Sequence, residues 1–221
     1  MNNDVDYIVF TDGSCRAGTH DPNRKYSAYG VVLLNVKTRK YTAFGDELGS
    51  RTIGYAELYA IYKGVKRLCK IVPKKQKTKI LIVSDNKNCI DAFRLWIPYC
   101  WDTSDWYNWK GSKKTKVKNQ NLYRKILELF KKHPWIHPHY AHINSHLEKA
   151  DLGAIRAKLQ KVNVHVDRPT SNMIRVMNQK ADTIASDLSM KLRTIDEEHG
   201  PFYQLHYITD AIFDYDDNND E

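Results

Sequence analysis

Residues 7–14 read Tyr-Ile-Val-Phe-Thr-Asp-Gly-Ser, and this stretch decides the fold of the chain. Its first five residues are mostly β-branched or aromatic, which predicts a β-strand. Asp12-Gly-Ser then predicts the end of that strand and a turn into a loop. Because ligands bind at the edge of a sheet where its strands end, Asp12 is the first candidate for chemistry.

Working outward from this strand, the hydrophobic pattern predicts a mixed α/β domain. Two further apolar runs, separated by a polar turn, complete an antiparallel meander. The period then becomes helical, and a short, continuously apolar run follows that is typical of a strand buried inside a sheet. The predicted strands after the first are 29–36, 41–44, 80–84 and 140–144, and the predicted helices are 55–69, 88–96 (ended by Pro98), 121–132, 150–162 and 179–192.

The charge of the chain is unevenly distributed. The net charge is +9, yet residues 196–221 hold nine acids and no Lys or Arg, so residues 1–195 carry a net charge of +18. A body this basic indicates a polyanionic partner such as nucleic acid, with general solubility as the plainer alternative. We expect residues 196–221 to form an acidic C-terminal extension with a disordered end.

Composition excludes several classes of protein. No run of about 18 apolar residues is present, so we expect no transmembrane helix and no membrane partner. The N-terminus lacks the features of a signal peptide, and we expect an intracellular protein of the cytoplasm or nucleus, in a host cell if it is viral. The cysteines are scattered without a C-x-x-C pair, which does not favour zinc; they are Cys15, Cys69, Cys89 and Cys100.

Four acids are placed to share a metal ion. Asp85 ends the buried fourth strand, as Asp12 ends the first, and Glu57 and Asp182 fall in the predicted first turns of two helices. Acids that converge repel each other unless a cation holds them, and oxygen ligands suit Mg²⁺, or Mn²⁺, better than zinc. Taken singly, each acid has a plainer interpretation, because Asp-Gly forms turns and acids favour helix N-termini.

Five segments, in order, resemble the type I ribonuclease H family over residues 7–192. The resemblance implies an α/β fold with a mixed five-stranded sheet flanked by helices, and hydrolysis of the RNA strand of RNA–DNA hybrids. It also implies two Mg²⁺ ions, products with 5′-phosphate ends, and a mobile histidine, His146, that assists proton transfer or product departure. The segments are Phe10-Thr-Asp-Gly-Ser-Cys15, Ala56-Glu-Leu-Tyr-Ala-Ile61, Val83-Ser-Asp-Asn86, Ile143-Asn-Ser-His146 and Asn178-Gln-Lys-Ala-Asp182, and the catalytic residues that they imply are Asp12, Glu57, Asp85, His146 and Asp182.

The same resemblance implies contacts with the hybrid. Discrimination of RNA needs contact with the 2′-hydroxyl, for which Glu57 and the backbone near Gly13, Ser14 and Gly54 are the candidates. A basic protrusion at about 98–119 would hold the DNA strand, and its lysines would make binding sensitive to salt. We expect Trp96 to pack mainly in the core. The remaining expected contacts are Asn86, Trp106, Trp109, Lys110, Lys113, Lys114, Lys116 and Lys118.

The chain departs from the family pattern at four places. The loop after the first motif, 16–27, is longer and more polar than the family's Gly-rich loop, and Ile53 and Gly54 replace asparagines that help to read RNA. The histidine motif lacks its usual lysine and glycine. An insertion of about 147–177 separates His146 from Asp182 within the predicted catalytic domain, 1–195.

The segment from His133 to Asp182 leaves three questions open. Asp151 also begins a helix-like pattern, but Asn178 four residues before Asp182 favours Asp182 as the last catalytic acid. Both ends of the insertion should emerge beside the active site, so that it forms either a basic flap on the hybrid or a surface segment that only packs. A second metal site in the cluster of His133, His137, His139, His142 and His146 is disfavoured, because Pro134 and Pro138 prevent a helix from aligning the rings.

Two other functions remain as alternatives. One is a non-catalytic nucleic-acid-binding domain of the same fold, and the other is a DNA-processing nuclease of the wider superfamily. Four converging acids argue against the first, because they hinder binding of phosphate unless they hold metal. The basic protrusion and the Asp-Gly-Ser segment favour cleavage of hybrids over the second.

Overall fold

A five-stranded mixed sheet lies at the centre of the computed structural model, which describes residues 4–102, 104–110, 113–144 and 152–199. Its strands are β1 (Tyr7–Ala17), β2 (Lys25–Asn35), β3 (Tyr41–Gly49), β4 (Thr78–Ser84) and β7 (Ile136–His142). Their order is β3-β2-β1-β4-β7. β1, β2 and β3 are antiparallel neighbours, whereas β1, β4 and β7 run parallel. The predicted fold class is confirmed.

Helices cover both faces of the sheet. They are α1 (Ile53–Ile71), α2 (Lys87–Asp91), α3 (Gln120–Lys132), α4 (Leu152–Gln160) and α5 (Arg168–His199). Alternation along β1 sends Val9 into the core shared with α1 and α3, and Ile8 and Phe10 into the core shared with α4 and α5. All three side chains are fully buried, which stabilises the fold by about 1.5–3 kcal/mol each. Within the part of the chain described, no helix is both long and apolar enough to cross a membrane.

β1 extends further than the sequence predicted. Its parallel pairing with β4 ends at Thr11 and Ser84, but its antiparallel pairing with β2 continues to Ala17 and Lys25. Asp12 therefore lies in the middle of a strand, and the prediction that Asp12-Gly-Ser turns into a loop was wrong. The β2 partner supplies the backbone hydrogen bonds that a turn would otherwise have had to provide. Beyond Asp12, the two strands form an arm that lies past the end of β4.

The segment after α2 does not stop at Pro98. Residues Ala92–Trp101 form a π-helix that contains this proline. The wider i→i+5 bonding, seen where Asp102 N–H donates to the carbonyl of Ile97 at 3.2 Å, continues the chain past it. The predicted protrusion then forms a hairpin of β5 (Tyr107–Lys110) and β6 (Lys113–Lys116).

The insertion runs away from the carboxyl ends of the strands. His139, in the middle of β7, contacts the carbonyl of Val162 through Nδ1 at 3.3 Å, and Asp4 N–H donates to the carbonyl of His165 at 3.0 Å. The segment after α4 thus lies at the opposite end of the sheet, next to the start of β1. α5 begins there, because Asp167 caps it by accepting from Thr170 N–H at 2.7 Å.

Two predictions about the last helix and one about α1 were wrong. The last helix starts at Arg168 and not at 179, so Asp182 lies fourteen residues into α5 and not in its first turn. The C-terminal part of the insertion belongs to this helix, and its last residue precedes Asn178, which contacts Ile143 at the active-site edge of the sheet. Similarly, Glu57 lies just past the first turn of α1, which begins after Thr52.

α5 also continues beyond the predicted boundary at residue 195. Asp196 is 3% exposed, and its carboxylate binds the guanidinium of Arg24 and accepts from the hydroxyl of Tyr26. Burial, and then Asp196, raise the pKa of Tyr26 to about 12. The first residues of the expected acidic extension are thus part of the folded body, while residues 200–221 lie outside the described part of the chain.

Candidate active site

Three of the predicted acids meet at the carboxyl end of β4. Asp12 follows Thr11 and Asp85 follows Ser84, and these two preceding residues are paired in the parallel register of β1 and β4. Glu57 reaches the same point from α1. One carboxylate oxygen from each of the three lies within 4.8 Å of the others. Adjacent parallel strands end side by side, so the geometry follows directly from the register.

Two glycines let the helices approach this point. A Cβ atom on Gly13 would lie 2.3 Å from the backbone nitrogen of Glu57, so only glycine lets β1 and α1 come this close. On the other face of the sheet, a Cβ on Gly30 would lie 2.1 Å from the carbonyl oxygen of Ala181 in α5. Gly30 pairs with Asp12 across β1 and β2, and therefore brings α5 down beside Asp12.

Glu57 is buried with one oxygen that has no partner. Its carboxylate is 5% exposed as a residue and takes hydrogen bonds from the backbone of Gly13 and the side chain of Asn86. Its Oε2 atom nevertheless finds no hydrogen-bond partner among the described residues. Burial, followed by repulsion from Asp12 and Asp85, holds the pKa of Glu57 well above its usual range. A buried carboxylate in this state calls for a proton or a cation.

Asp12 is buried beside two other carboxylates, those of Asp85 and Asp182. Burial, and then the charges of Asp85 and Asp182, raise its pKa to about 9. The metal-free site therefore keeps Asp12 protonated at neutral pH. A divalent cation would take the place of that proton, and the oxygen-only donor set fits Mg²⁺ or Mn²⁺.

Asp182 joins the site from α5. It is half-buried and interacts with Asp12 through both charge and a side-chain hydrogen bond. One turn earlier in the helix, Asn178 is buried and its Nδ2 donates to the carbonyl of Ile143 at 3.0 Å. All four predicted acids thus meet. Asp12 lies next to Glu57 and Asp85 and also next to Asp182. The competing Asp151 lies outside the described residues.

The histidines are distributed over different contacts. His146 lies in 145–151, outside the described residues, so its role stays a prediction. His142, at the end of β7, contacts the carbonyl of Asp85 through Nε2 at 2.9 Å, and His133 contacts the carbonyl of Leu129 through Nδ1 at 2.8 Å. Within the described ranges, the only group of three or more candidate metal ligands is Asp12, Glu57 and Asp85.

Two of the expected contacts with nucleic acid are buried. Trp106 is 3% exposed and packs against Trp101 and Tyr123, so its ring is not available for stacking on a base and the prediction was wrong. Trp106 instead completes the apolar core beneath the β5–β6 hairpin. Gly13 is buried against α1, where its role is to let the backbones approach. Trp96 is partly buried against the same core, as expected.

Other expected contacts remain open to a ligand. A Cβ on Gly54 would meet no atom within 4 Å, so the backbone at the start of α1 faces open space. Ser14 lies in a hydrogen bond with Ser189 at 2.7 Å between their Oγ atoms. Trp109 and Lys110 lie in β5. Exposed lysines line the second strand of the hairpin and its exit; they are Lys113, Lys114, Lys116 and Lys118.

Sequence reasoning missed the residues that position the acids. Asn86 was expected to touch nucleic acid, but its Oδ1 accepts from Cys89 N–H at 3.1 Å while its side chain also binds Glu57. The signal was present, because Asn is a preferred helix N-cap directly after a strand. Gly30, inside a predicted strand, also carried a signal, since an isolated strand glycine often marks close approach of another backbone.

Comparisons with known proteins agree with this geometry. The model of the RNase H family matches residues 4–190. A protein named Ribonuclease H from Thermoanaerobacter sp. (strain X514) is 32% identical over 139 residues, which are 62% of this chain and 79% of that protein.

Two solved structures share the fold. The RNase H domain of PFV has a TM-score of 0.57 at 20% identity, over 84% of this chain and 95% of that domain. A foamy viral protease-reverse transcriptase in complex with RNA/DNA hybrid has a TM-score of 0.56 at 18% identity, over 84% of this chain and 20% of that one.

Proposed function

Since the chain belongs to the RNase H family, we propose that it is an endoribonuclease that hydrolyses the RNA strand of RNA–DNA hybrids. Its products would carry 5′-phosphate ends. Its reaction would use two divalent cations, Mg²⁺ or alternatively Mn²⁺. The observation that carries this proposal is the buried Glu57 Oε2, which has no hydrogen-bond partner among the described residues and lies among converging carboxylates, because a divalent cation would bind this oxygen and offset the repulsion between the acids.

The division of the four acids supports two cation positions. Glu57, Asp85 and Asp12 form one group of candidate ligands, and Asp182 meets Asp12 from the opposite face of the sheet. Asp12 is the carboxylate that both positions would share. When bound, such cations supply an activated water molecule and stabilise the charge that develops on the leaving oxygen.

The residues of the chain would hold these groups in place. Asn86 donates to Glu57, which orients one carboxylate oxygen and leaves Oε2 for the cation. His142 donates to the carbonyl of Asp85 and holds the end of β4 next to β7. Asn178 anchors the chain at Ile143, three residues before His146, and His146 would assist proton transfer or product departure.

Selection of the hybrid would come from two surfaces. The open backbone at Gly54 is free of side-chain obstruction, so a 2′-hydroxyl could bind there and near Glu57. The exposed lysines of the β5–β6 hairpin would neutralise phosphates of the DNA strand. The solved foamy viral relative is itself in complex with RNA/DNA hybrid, which is compatible with the same class of partner here.

A cleavage assay with three substrates tests the proposal. End-labelled RNA–DNA hybrid, double-stranded RNA and double-stranded DNA of one sequence are incubated with the protein in Mg²⁺, in Mn²⁺ and in excess chelator. We expect cleavage of the RNA in the hybrid alone, only with metal, and with 5′-phosphate ends. Binding without cleavage would indicate the non-catalytic alternative, and cleavage of the DNA duplex would indicate the DNA-processing alternative.

A further inference from the structure

Arg16 is half-buried between the β1–β2 arm and α5. Alternation along β1 places Asp12, Ser14 and Arg16 on the face that packs against α5. The guanidinium of Arg16 donates from Nη2 to Ser186 Oγ at 2.6 Å and from Nε to Ser189 Oγ at 3.2 Å. The same stripe of α5 that carries Asp182 therefore continues as a row of hydroxyls facing Arg16.

The hydroxyls are oriented to accept from this arginine. Ser189 Oγ donates to the carbonyl of Ser186 at 2.9 Å, so its lone pairs receive both Arg16 Nε and the hydroxyl of Ser14. Ser189 is fully buried. Its burial fixes in place the two hydroxyls that hold Arg16, those of Ser186 and Ser189, which we call the cradle. A guanidinium has five N–H groups, and these two contacts use two of them.

The charge of Arg16 has no acid beside it in the described part of the chain. No carboxylate of residues 4–102, 104–110, 113–144 or 152–199 lies within ion-pair distance of its guanidinium. Arg24, at the tip of the same arm, is also half-buried, but its guanidinium binds the carboxylate of Asp196. Three N–H groups of Arg16 thus remain for an anion, and a guanidinium fork matches the oxygens of a phosphate.

We propose that Arg16, held by Ser186 and Ser189, binds a backbone phosphate one or two nucleotides from the one that is cut. This proposal rests on the proposed function, because it needs a nucleic acid seated on the four carboxylates. Ser186 lies one helical turn, about 5.4 Å along the axis, beyond Asp182. Arg16 lies four residues, about 13 Å along the strand, beyond Asp12. A strand that leaves the acids along this face would pass over the cradle.

Arg16→Gln and Arg39→Gln form a matched pair of variants for the test. Arg39 is exposed at the opposite end of the sheet, where its guanidinium lies 3.6 Å from Asp167. Both changes remove one positive charge and add the same side chain. Hybrid binding is measured by fluorescence anisotropy from low to high KCl, with Asp12→Asn as the parent so that no strand is cut. The melting temperature of each variant is measured alongside, and the kcat and KM of the otherwise unchanged protein are determined with Mg²⁺.

We expect Arg16→Gln to weaken binding about ten-fold and to raise KM with little change in kcat, the loss of one charged hydrogen-bonding group. The dependence of log Kd on log salt should become less steep by about 0.7–0.9, the value of one phosphate contact. Arg16→Lys should keep that dependence, and Arg39→Gln should change neither quantity.

Two outcomes would overturn the inference. One is an Arg16→Gln protein with a lower melting temperature and an unchanged salt dependence, which would make Arg16 only a clamp between β1 and α5. The other is an equal change in the Arg16→Gln and Arg39→Gln proteins. Absence of hybrid cleavage by the unmodified protein would contradict the proposed function instead, and the salt dependence of binding would still decide the role of Arg16.

Discussion

Two aspartates on the same stretch of chain, Asp4 before β1 and Asp12 within it, have opposite electrostatic environments. Asp4 accepts hydrogen bonds from His165, at 2.8 Å from Nδ1 and 2.9 Å from the backbone nitrogen, and these bonds lower its pKa. Asp12 is buried beside other acids, which raises its pKa to about 9. At the end of the sheet where β1 begins, the carboxylates have basic partners. At the end where β4 finishes, carboxylates lie next to other carboxylates.

This difference separates structural charges from functional ones. The paired end holds the segment after α4 and the start of α5, where Asp167 caps the helix and also lies 3.6 Å from Arg39. Charges there are already satisfied by the chain itself. At the carboxyl end of the strands, Glu57 Oε2 has no hydrogen-bond partner among the described residues and the pKa of Asp12 is raised, so a ligand is needed to complete this end.

Asp12→Asn should remove nearly all hybrid cleavage, by about 10³-fold or more, because the shared ligand of the cation positions is lost. Hybrid binding should survive or tighten, since one negative charge near phosphate is removed. The matched variant at the paired end, Asp4→Asn, should cleave normally. Both are measured as kcat on labelled hybrid at saturating Mg²⁺, and substantial Mg²⁺-dependent turnover by Asp12→Asn would refute the assignment.

His146→Ala should slow turnover by about 10- to 100-fold, which is the usual contribution of an acid–base group. His137→Ala is the control, because His137 is exposed on β7. Single-turnover and steady-state rates are compared, so that a slower chemical step can be told from slower product release. If both variants cleave at the same rate, His146 has no part in the reaction.

Replacing three lysines of the hairpin should weaken hybrid binding far more than replacing three basic residues of the insertion. Lys113, Lys114 and Lys116 are exposed on β6, and their loss should reduce the salt dependence by about 0.9 for each phosphate contact removed. Arg156, Lys158 and Lys161 lie in and just after α4, which leads toward the opposite end of the sheet. Of the two alternatives that the sequence left open, this favours a surface segment that only packs over a basic flap. If the salt dependence of hybrid binding changes equally in the two triple-alanine variants, the insertion would again be supported as a basic flap on the hybrid.

The smallest expected effect is on stability without metal. The folded pKa of Asp12, about 9, exceeds the ordinary value of 3.8, so the folded protein keeps a proton that the unfolded chain loses between those values. This contribution to stability falls as pH rises through that range. Asp12→Asn lacks it, so the variant should melt several degrees or more above the unmodified protein at pH 8, at about 2–4 °C per kcal/mol, and the gap should shrink toward pH 4. Melting curves in chelator measure the gap, and a gap independent of pH would contradict the raised pKa.

Much of the site could be predicted from the sequence because its signals are local. Apolar runs with period two or 3.6 identified the strands and α1, and each acid was found from the few residues around it. The start of α5 was missed although Asp167 and Pro169 signal a helix N-terminus, because the residues after them were assigned to an insertion. The extent of β1 past Asp12 was missed because a partner strand, not local preference, keeps it extended.

The sequence by itself determined which acids could hold a cation and that a basic hairpin follows them, since residue type and spacing along one segment carry that information. Only the tertiary structure decided which charged side chains meet. Trp106 is buried, and Gly13 and Gly30 each pack against a helix backbone. α4 leads away from the acids. Arg16 binds serine hydroxyls, whereas Arg24 binds Asp196. These outcomes depend on contacts between residues up to about 175 positions apart, such as Ser14 and Ser189, and packing between distant segments leaves no periodic signal in either one.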